Sequence, residues 1–135
     1  MGEAGIPTTK VVCGIIERDG YVLLTQRSKN MSQPLLWEFP GGKLEAGESE
    51  AECLEREILE ELNISILPLQ RLTPVLHKYP DFIIELIPYT CSYQGGTVCL
   101  MEHTSYEWVP LQDLKDYEWC PADVPVVEEY LQLGG

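Results

Sequence analysis

Basic residues are scarce in this chain. Nine lysines and arginines stand against 22 aspartates and glutamates, a formal net charge of −13 over 135 residues. That balance excludes a nucleic-acid polymer as partner, because such affinity rests on cationic side chains neutralising phosphates. It leaves room for a free nucleotide, which brings its own cations. No apolar run approaches the ~18 residues that would suggest a membrane span, and no signal-peptide pattern is present. Met1-Gly2 makes no myristoylation site, since Ile6 stands where Ser or Thr is required. There is no C-x-x-C pair: Cys13, Cys53, Cys91, Cys99 and Cys120 are scattered and odd in number. Reduced thiols in a cytoplasmic protein, mostly as small core residues, are therefore expected. A P-loop, a serine nucleophile elbow and a zinc cysteine set are also missing. His77 and His103 are isolated and take no role on sequence grounds. With 44% hydrophobic residues the chain can bury one core. A single domain over 9–133 is expected, with 1–8 and the final Gly-Gly loose.

Glutamate, by contrast, is crowded around one turn and helix. Gly42 to Ile64 reads GKLEAGESEAECLEREILEELNI. Glu57, Glu60 and Glu61 are spaced i, i+3 and i+4, which puts all three on one helix face. Ala51, Leu54, Ile58 and Leu62 form a separate apolar stripe. A solvated acidic face is one reading of such a helix. Two like charges at about 4 Å, however, cost on the order of 4 kcal/mol at an effective dielectric of ~20. A divalent cation removes that cost, and oxygen ligands without Cys or His point to Mg²⁺, with Mn²⁺ able to substitute.

The neighbouring residues sharpen the reading. Trp37-Glu38-Phe39-Pro40-Gly41-Gly42-Lys43 runs an aromatic strand end into a turn where glycine permits positive φ and close approach to a ligand. Ser49 is a good N-cap, and Glu52 completes a capping box. Arg56 can reach Glu52 or Glu60 at i±4.

In order come Gly42, Glu48, Arg56-Glu57, apolar Ile58, Glu60-Glu61, Asn63 and apolar Ile64. This pattern resembles the signature box of the Nudix hydrolases, which cleave nucleoside diphosphates linked to another group. Asn63 departs from the family's usual Gly, at a C-cap position where Asn is the next-best left-handed residue. The resemblance implies an α+β fold with a mixed β-sheet sandwiched between α-helices. It also implies metal ligation by Glu57, Glu60, Glu61 and a carbonyl of the glycine turn, Gly41. Glu57 is then the candidate base, with Gly42, Glu48 and Arg56 structural within the box. Glu102 matches the place where MutT-like members carry a further metal or base glutamate; a solvent-facing loop acid is the alternative. Arg27 and Lys43 are the nearest cations for phosphate, or exposed structural residues.

Periodicity predicts strands at Lys10–Glu17 and Tyr21–Gln26 joined by Asp19-Gly20, a short strand end at Glu38-Phe39, and a helix over Ser49–Leu62. Further strands are expected at Gln70–Lys78, Phe82–Tyr93, Thr97–Met101 and Glu107–Val109. Gly95-Gly96 is read as a turn, Pro88 as marking an edge or bulge, and Pro121–Leu131 as a closing helix.

The early strands and the tail Pro121-Ala122-Asp123-Val124-Pro125 resemble the compact MutT-type branch, whose members convert nucleoside triphosphates to monophosphate and pyrophosphate. Some of these clear oxidised precursors such as 8-oxo-dGTP. The tail is most similar to that of the CTP pyrophosphohydrolase type, with a polar residue at Asp123 reading the base. Ionised Asp only accepts hydrogen bonds, which suits the cytosine amino group and does not exclude oxidised guanine. The reading is cytidine-type or broad specificity, with Asp123 alternatively a helix-start acid. Tyr79 and Phe39 could stack on a base or sit in the core. A nucleotide sugar or dinucleoside polyphosphate substrate, or a non-catalytic nucleotide sensor, are the other hypotheses. A monomer and a homodimer are both compatible with the family.

Overall fold

The computed structural model describes residues 7–134. The chain begins with the strand β1 (Thr8–Arg18), whose five consecutive buried residues Val12 to Ile16 mark it as central. Both faces of β1 are covered. Val12 and Ile16 pack with Leu54, Ile58 and Leu62 on one side; Cys13 and Ile15 pack with Val126, Val127 and Tyr130 on the other. Asp19 and Gly20, at φ 51° and 84°, make the two-residue turn into β2 (Tyr21–Gln26). Positive φ at both positions is what a tight hairpin matching strand twist demands.

The remaining strands are β3 (Trp37–Glu38), β4 (Gly41–Lys43), β5 (Ile64–Arg71), β6 (Val75–Lys78), β7 (Ile83–Gly96) and β8 (Ser105–Pro110). The sheet is mixed. β1 pairs in parallel with β7 and antiparallel with β2 and β4. β8 and β3 extend the β2 side, and β5 and β6 flank β7. Helix α1 (Glu50–Leu62) covers one face, and the C-terminal α2 (Val124–Gln132) covers the other. This is the sandwich of the expected α+β class. Neither helix is long and apolar enough to cross a membrane.

Several boundaries differ from expectation. Residues 1–6 and Gly135 lie outside the described residues, but Thr8 is already in β1 and the Pro7 carbonyl accepts from the Ile83 N–H at 2.9 Å. The strand expected at Gln70 begins at Ile64, directly after the helix, because Ile64 and Ile66 alternate into the core. Pro88 is interior to β7, yet its carbonyl accepts from the Leu72 N–H at the break between β5 and β6. No ladder donor is needed there. Thr97–Met101 is not a strand. β7 continues through Gly95 and Gly96, after which the chain crosses the end of α1, with Cys99 N–H on the Leu62 carbonyl and Met101 N–H on that of Glu61. The last helix starts as a 3-10 turn at Pro121–Asp123, with Pro125 in the first turn of α2 proper.

In α1, Ser49 and Glu52 form the full capping box, and Asn63 takes the left-handed C-cap at φ 62° and ψ 30°. Ala51 is only half-buried; Cys53 joins Leu54, Ile58 and Leu62 inside. Burial of each large apolar side chain contributes roughly 1.5–3 kcal/mol. One face of the helix is thus fixed to the sheet while its acids stay at the edge.

Candidate active site

Crowding, not turn geometry, explains the two glycines beside α1. Gly41 and Gly42 lie in β4 opposite Cys13 and Val12, and neither takes positive φ. A Cβ on Gly41 would lie 1.9 Å from the Val12 carbonyl oxygen, and one on Gly42 only 2.1 Å from Cδ of Glu57. The Glu57 carboxyl therefore rests directly on the strand. Gly14 N–H bonds the Pro40 carbonyl and Leu44 N–H that of Lys10. Antiparallel alternation then turns the Gly41 carbonyl away from β1, free to serve as a ligand.

Arg56 organises the acids. Its Nε and Nη2 hold both oxygens of Glu48 at 2.6 and 3.0 Å, while Nη1 reaches Glu57 at 3.2 Å and Glu60 at 3.1 Å. These hydrogen bonds bring the Glu48 carboxyl down to about 2. Glu52, expected as a partner of Arg56, instead spends its carboxylate on the Ser49 N–H at 3.0 Å. Burial raises the Glu57 carboxyl above its ordinary value against the opposing pull of Arg56, and Glu60 and Glu61 raise it further. Burial also raises Glu61, with Glu102 the next cause. The loop that crosses the helix end thus brings Glu102 into electrostatic range of Glu61.

The helix-face acids do not meet at one point. Glu57 and Glu60 turn to Arg56, and Glu61 stands by Glu102. Among the described residues, the three-residue group whose ligating atoms lie within 4.8 Å of one another is Glu38, Cys120 and Asp123. The α1 acids nevertheless fit a hard dication. Glu57, Glu60, Glu61, Glu102 and the Gly41 carbonyl offer only oxygen, and the repulsions felt by Glu57 and Glu61 are those a dication would relieve.

Beside β4 opens a cavity of about 390 Å³ lined by Glu38, Phe39, Gly42, Lys43, Tyr79 and Asp123, among others. Asp123 is 4% exposed and accepts the Phe39 N–H at 3.0 Å. It makes no side-chain capping bond to α2, the helix it precedes. Burial pushes its carboxyl well above the ordinary range, and the Glu38 charge adds to this. Tyr79 stacks on Phe82 at 5.0 Å at the rim. Phe39 is core, packed on Trp119 at 4.8 Å. Lys43 lies exposed at the mouth. Arg27, a candidate for phosphate, lines the same cavity, where Nη1 pairs with Glu38 at 3.0 and 3.2 Å and Nε and Nη2 bond Ser32.

Sequence reasoning passes over Glu38, whose signal is an acid between two aromatics in a short strand. It also passes over His103, whose ring is 5% exposed and lies 2.8 Å from Glu38. Burial keeps the wall residues Cys13 and Cys120 as neutral thiols, with Cys120 pushed up to about 12.

The NUDIX domain family model matches residues 11–129. The chain is 36% identical over 124 residues to the CTP pyrophosphohydrolase of Escherichia coli K12, covering 92% of each protein. It is 36% identical over 118 residues to the putative 8-oxo-dGTP diphosphatase 2 of Mycobacterium tuberculosis, covering 84% of this chain and 81% of that one. The crystal structure of a MutT protein from Methanosarcina mazei Go1 superposes with a TM-score of 0.87 at 26% identity, over 98% and 99% of the two chains. With its acidic helix seated on a glycine strand beside a cavity, the chain belongs to the Nudix family, as a Nudix hydrolase of the MutT-like branch.

Proposed function

We propose that the protein hydrolyses nucleoside triphosphates to the monophosphate and pyrophosphate with Mg²⁺, acting on cytidine nucleotides or on a broad range of bases. One observation carries this reading. Glu57 of α1 rests on the same glycine strand, β4, that lines a cavity with two neighbouring carboxylic groups, Glu38 and Asp123, on its wall. A phosphate chain held at the first would place its base in the second.

A bound divalent cation supplies charge neutralisation at the phosphate oxygens and can lower the pKa of the attacking water. Glu57, Glu60, Glu61, Glu102 and the Gly41 carbonyl are its proposed ligands. Glu57 also orients or deprotonates the water, and its raised pKa moves it toward the range where a carboxylate works as a base near neutrality. Arg56 and Glu48 position Glu57, and Lys43 meets a phosphate oxygen at the mouth. Tyr79 offers an aromatic face to the base.

Glu38 and Asp123 supply selectivity. Their ligating oxygens lie within 4.8 Å, and burial together with the Glu38 charge raises the Asp123 carboxyl. With one proton between them, the two carboxyl groups present one donor and one acceptor. Cytosine matches it with N3 and its amino group; oxidised guanine matches it with O6 and N1–H. This supports a broad range and leaves nucleotide-pool cleansing as one use of the activity.

The test is a panel of common and oxidised triphosphates with Mg²⁺, scored for pyrophosphate against phosphate release. Asp123→Asn keeps an oxygen for the Phe39 N–H and turns a fixed amide donor into the cavity. It is expected to lower turnover of CTP more than that of 8-oxo-dGTP. Equal losses on both substrates would remove Asp123 from base recognition, and turnover of nucleotide sugars alone would refute the triphosphate reading.

A further inference from the structure

The segment carrying Glu102 has no secondary structure of its own, yet it is fastened at both flanks. On one side, Cys99 and Met101 N–H groups bond the Leu62 and Glu61 carbonyls at the end of α1. On the other, Thr104 N–H bonds the Gln26 carbonyl at 2.9 Å. Between them His103 turns inward. Its ring is 5% exposed, and Nε2 lies 2.8 Å from Oε2 of Glu38. Glu102 itself is exposed and makes no side-chain hydrogen bond among the described residues. Where it stands is therefore set by what its neighbours grip.

The grip has an unusual feature. Nδ1 of His103 is buried without a hydrogen-bond partner. A buried polar atom left unpaired is a cost to folding, and such atoms call for an explanation beyond stability. Glu38, meanwhile, is a shared node. One carboxylate takes Arg27, His103 and a face of the cavity.

We propose that His103 is a positioning residue: it latches the Glu102 loop to Glu38, so the acid that faces the base also fixes where Glu102 stands against Glu61. Base recognition and the placement of a metal-centre carboxylate are then one connected arrangement. A base amino group that draws on Glu38 is felt at the loop. The inference rests on the proposed role of Glu102 at the metal centre and adds to it a residue that touches neither metal nor phosphate.

A double-mutant cycle tests it, with steady-state kinetics and Mn²⁺ binding measured on the full chain. His103→Phe keeps the ring volume and removes both nitrogens. It is expected to lower kcat on the order of 10²-fold, the scale of a catalytic group misplaced by about 1 Å, with KM little changed. Mn²⁺ binding weakens in parallel. His103→Gln, which keeps a donor near Nε2, restores most of kcat, whereas His103→Asn, too short to reach Glu38, does not. Should the Phe variant not fold, that Gln/Asn contrast decides the question by itself, and equal kcat in the two variants overturns the latch. In a Glu102→Gln background His103→Phe adds no further loss, since the latch has nothing left to place. The same fold loss in both backgrounds, or wild-type kcat in His103→Phe, overturns the latch as well. Wild-type kcat in Glu102→Gln overturns the metal-centre reading beneath it, a different and separable result.

Discussion

Replacing each of the two β4 glycines with alanine should give opposite outcomes. A Cβ on Gly42 would sit 2.1 Å from Cδ of Glu57, where ordinary carbon–carbon contact is about 3.5 Å. Something must move by ~1.4 Å. The Gly42 backbone is held in the ladder opposite Val12, so the flexible end of Glu57 gives way. A catalytic group displaced by about 1 Å loses on the order of 10² in rate, equivalent to about 2.7 kcal/mol of transition-state stabilisation. Gly42→Ala should therefore fold with a near-wild-type Tm and lose at least ~10²-fold in kcat. Gly41→Ala meets the Val12 carbonyl oxygen at 1.9 Å, a backbone atom of the central strand that cannot turn aside. It should lose the β1–β4 pairing and with it stability, seen as a large drop in Tm or in soluble yield. Pyrophosphate release and thermal melts on the two variants decide the matter. Wild-type kcat in Gly42→Ala would refute the placement of Glu57 as a requirement of the reaction, and a wild-type Tm in Gly41→Ala would refute the close contact with β1.

Two further outcomes are expected. Glu57→Gln should lose at least ~10²-fold in kcat, the scale of general-base loss; unchanged turnover would take Glu57 out of the mechanism. Glu48 titrates at about 2 when folded, against an ordinary 4.5, so its pairing with Arg56 stabilises the fold above pH ~4.5 and is lost as pH falls toward ~2. In Glu48→Gln the acid-side fall of Tm across that window should flatten, and an unchanged slope would show that the pair contributes nothing to acid stability.

The parts of the structure set by local rules are readable in the sequence. Ser49 and Glu52 cap α1 as their spacing requires, Asn63 closes it in the left-handed conformation, and Asp19-Gly20 turns the first hairpin. These depend on residues close in the chain. Sequence and structure part where distant contacts decide. Thr97–Met101 has strand composition, but no free strand edge takes it; the carbonyls at the end of α1 do. Pro-Gly-Gly suggests turn glycines at Gly41 and Gly42, whereas Val12 and Glu57 make them necessary by crowding. The pairing of Arg27 with Glu38 is hidden because the two lie 11 residues apart, across a loop. The burial of Asp123 beside Glu38 is hidden as well, because nothing in its sequence neighbourhood reveals the shared site.

The electrostatics of α1 explain how so acidic an element stays folded without weakening the case for a metal. Arg56 alone contacts Glu48, Glu57 and Glu60, and one guanidinium fork meets three carboxylates because its donors point in fixed, separate directions. It leaves Glu61 and Glu102 uncompensated, both beside the loop that crosses the helix end. One cation cannot neutralise five acids. The remaining repulsion lies at the corner where a phosphate chain entering past Lys43 would need positive charge. The arrangement is therefore balanced enough to fold and short of charge at the place where a dication and its nucleotide would supply it. Arginines added at that corner would remove the shortage and occupy the site themselves.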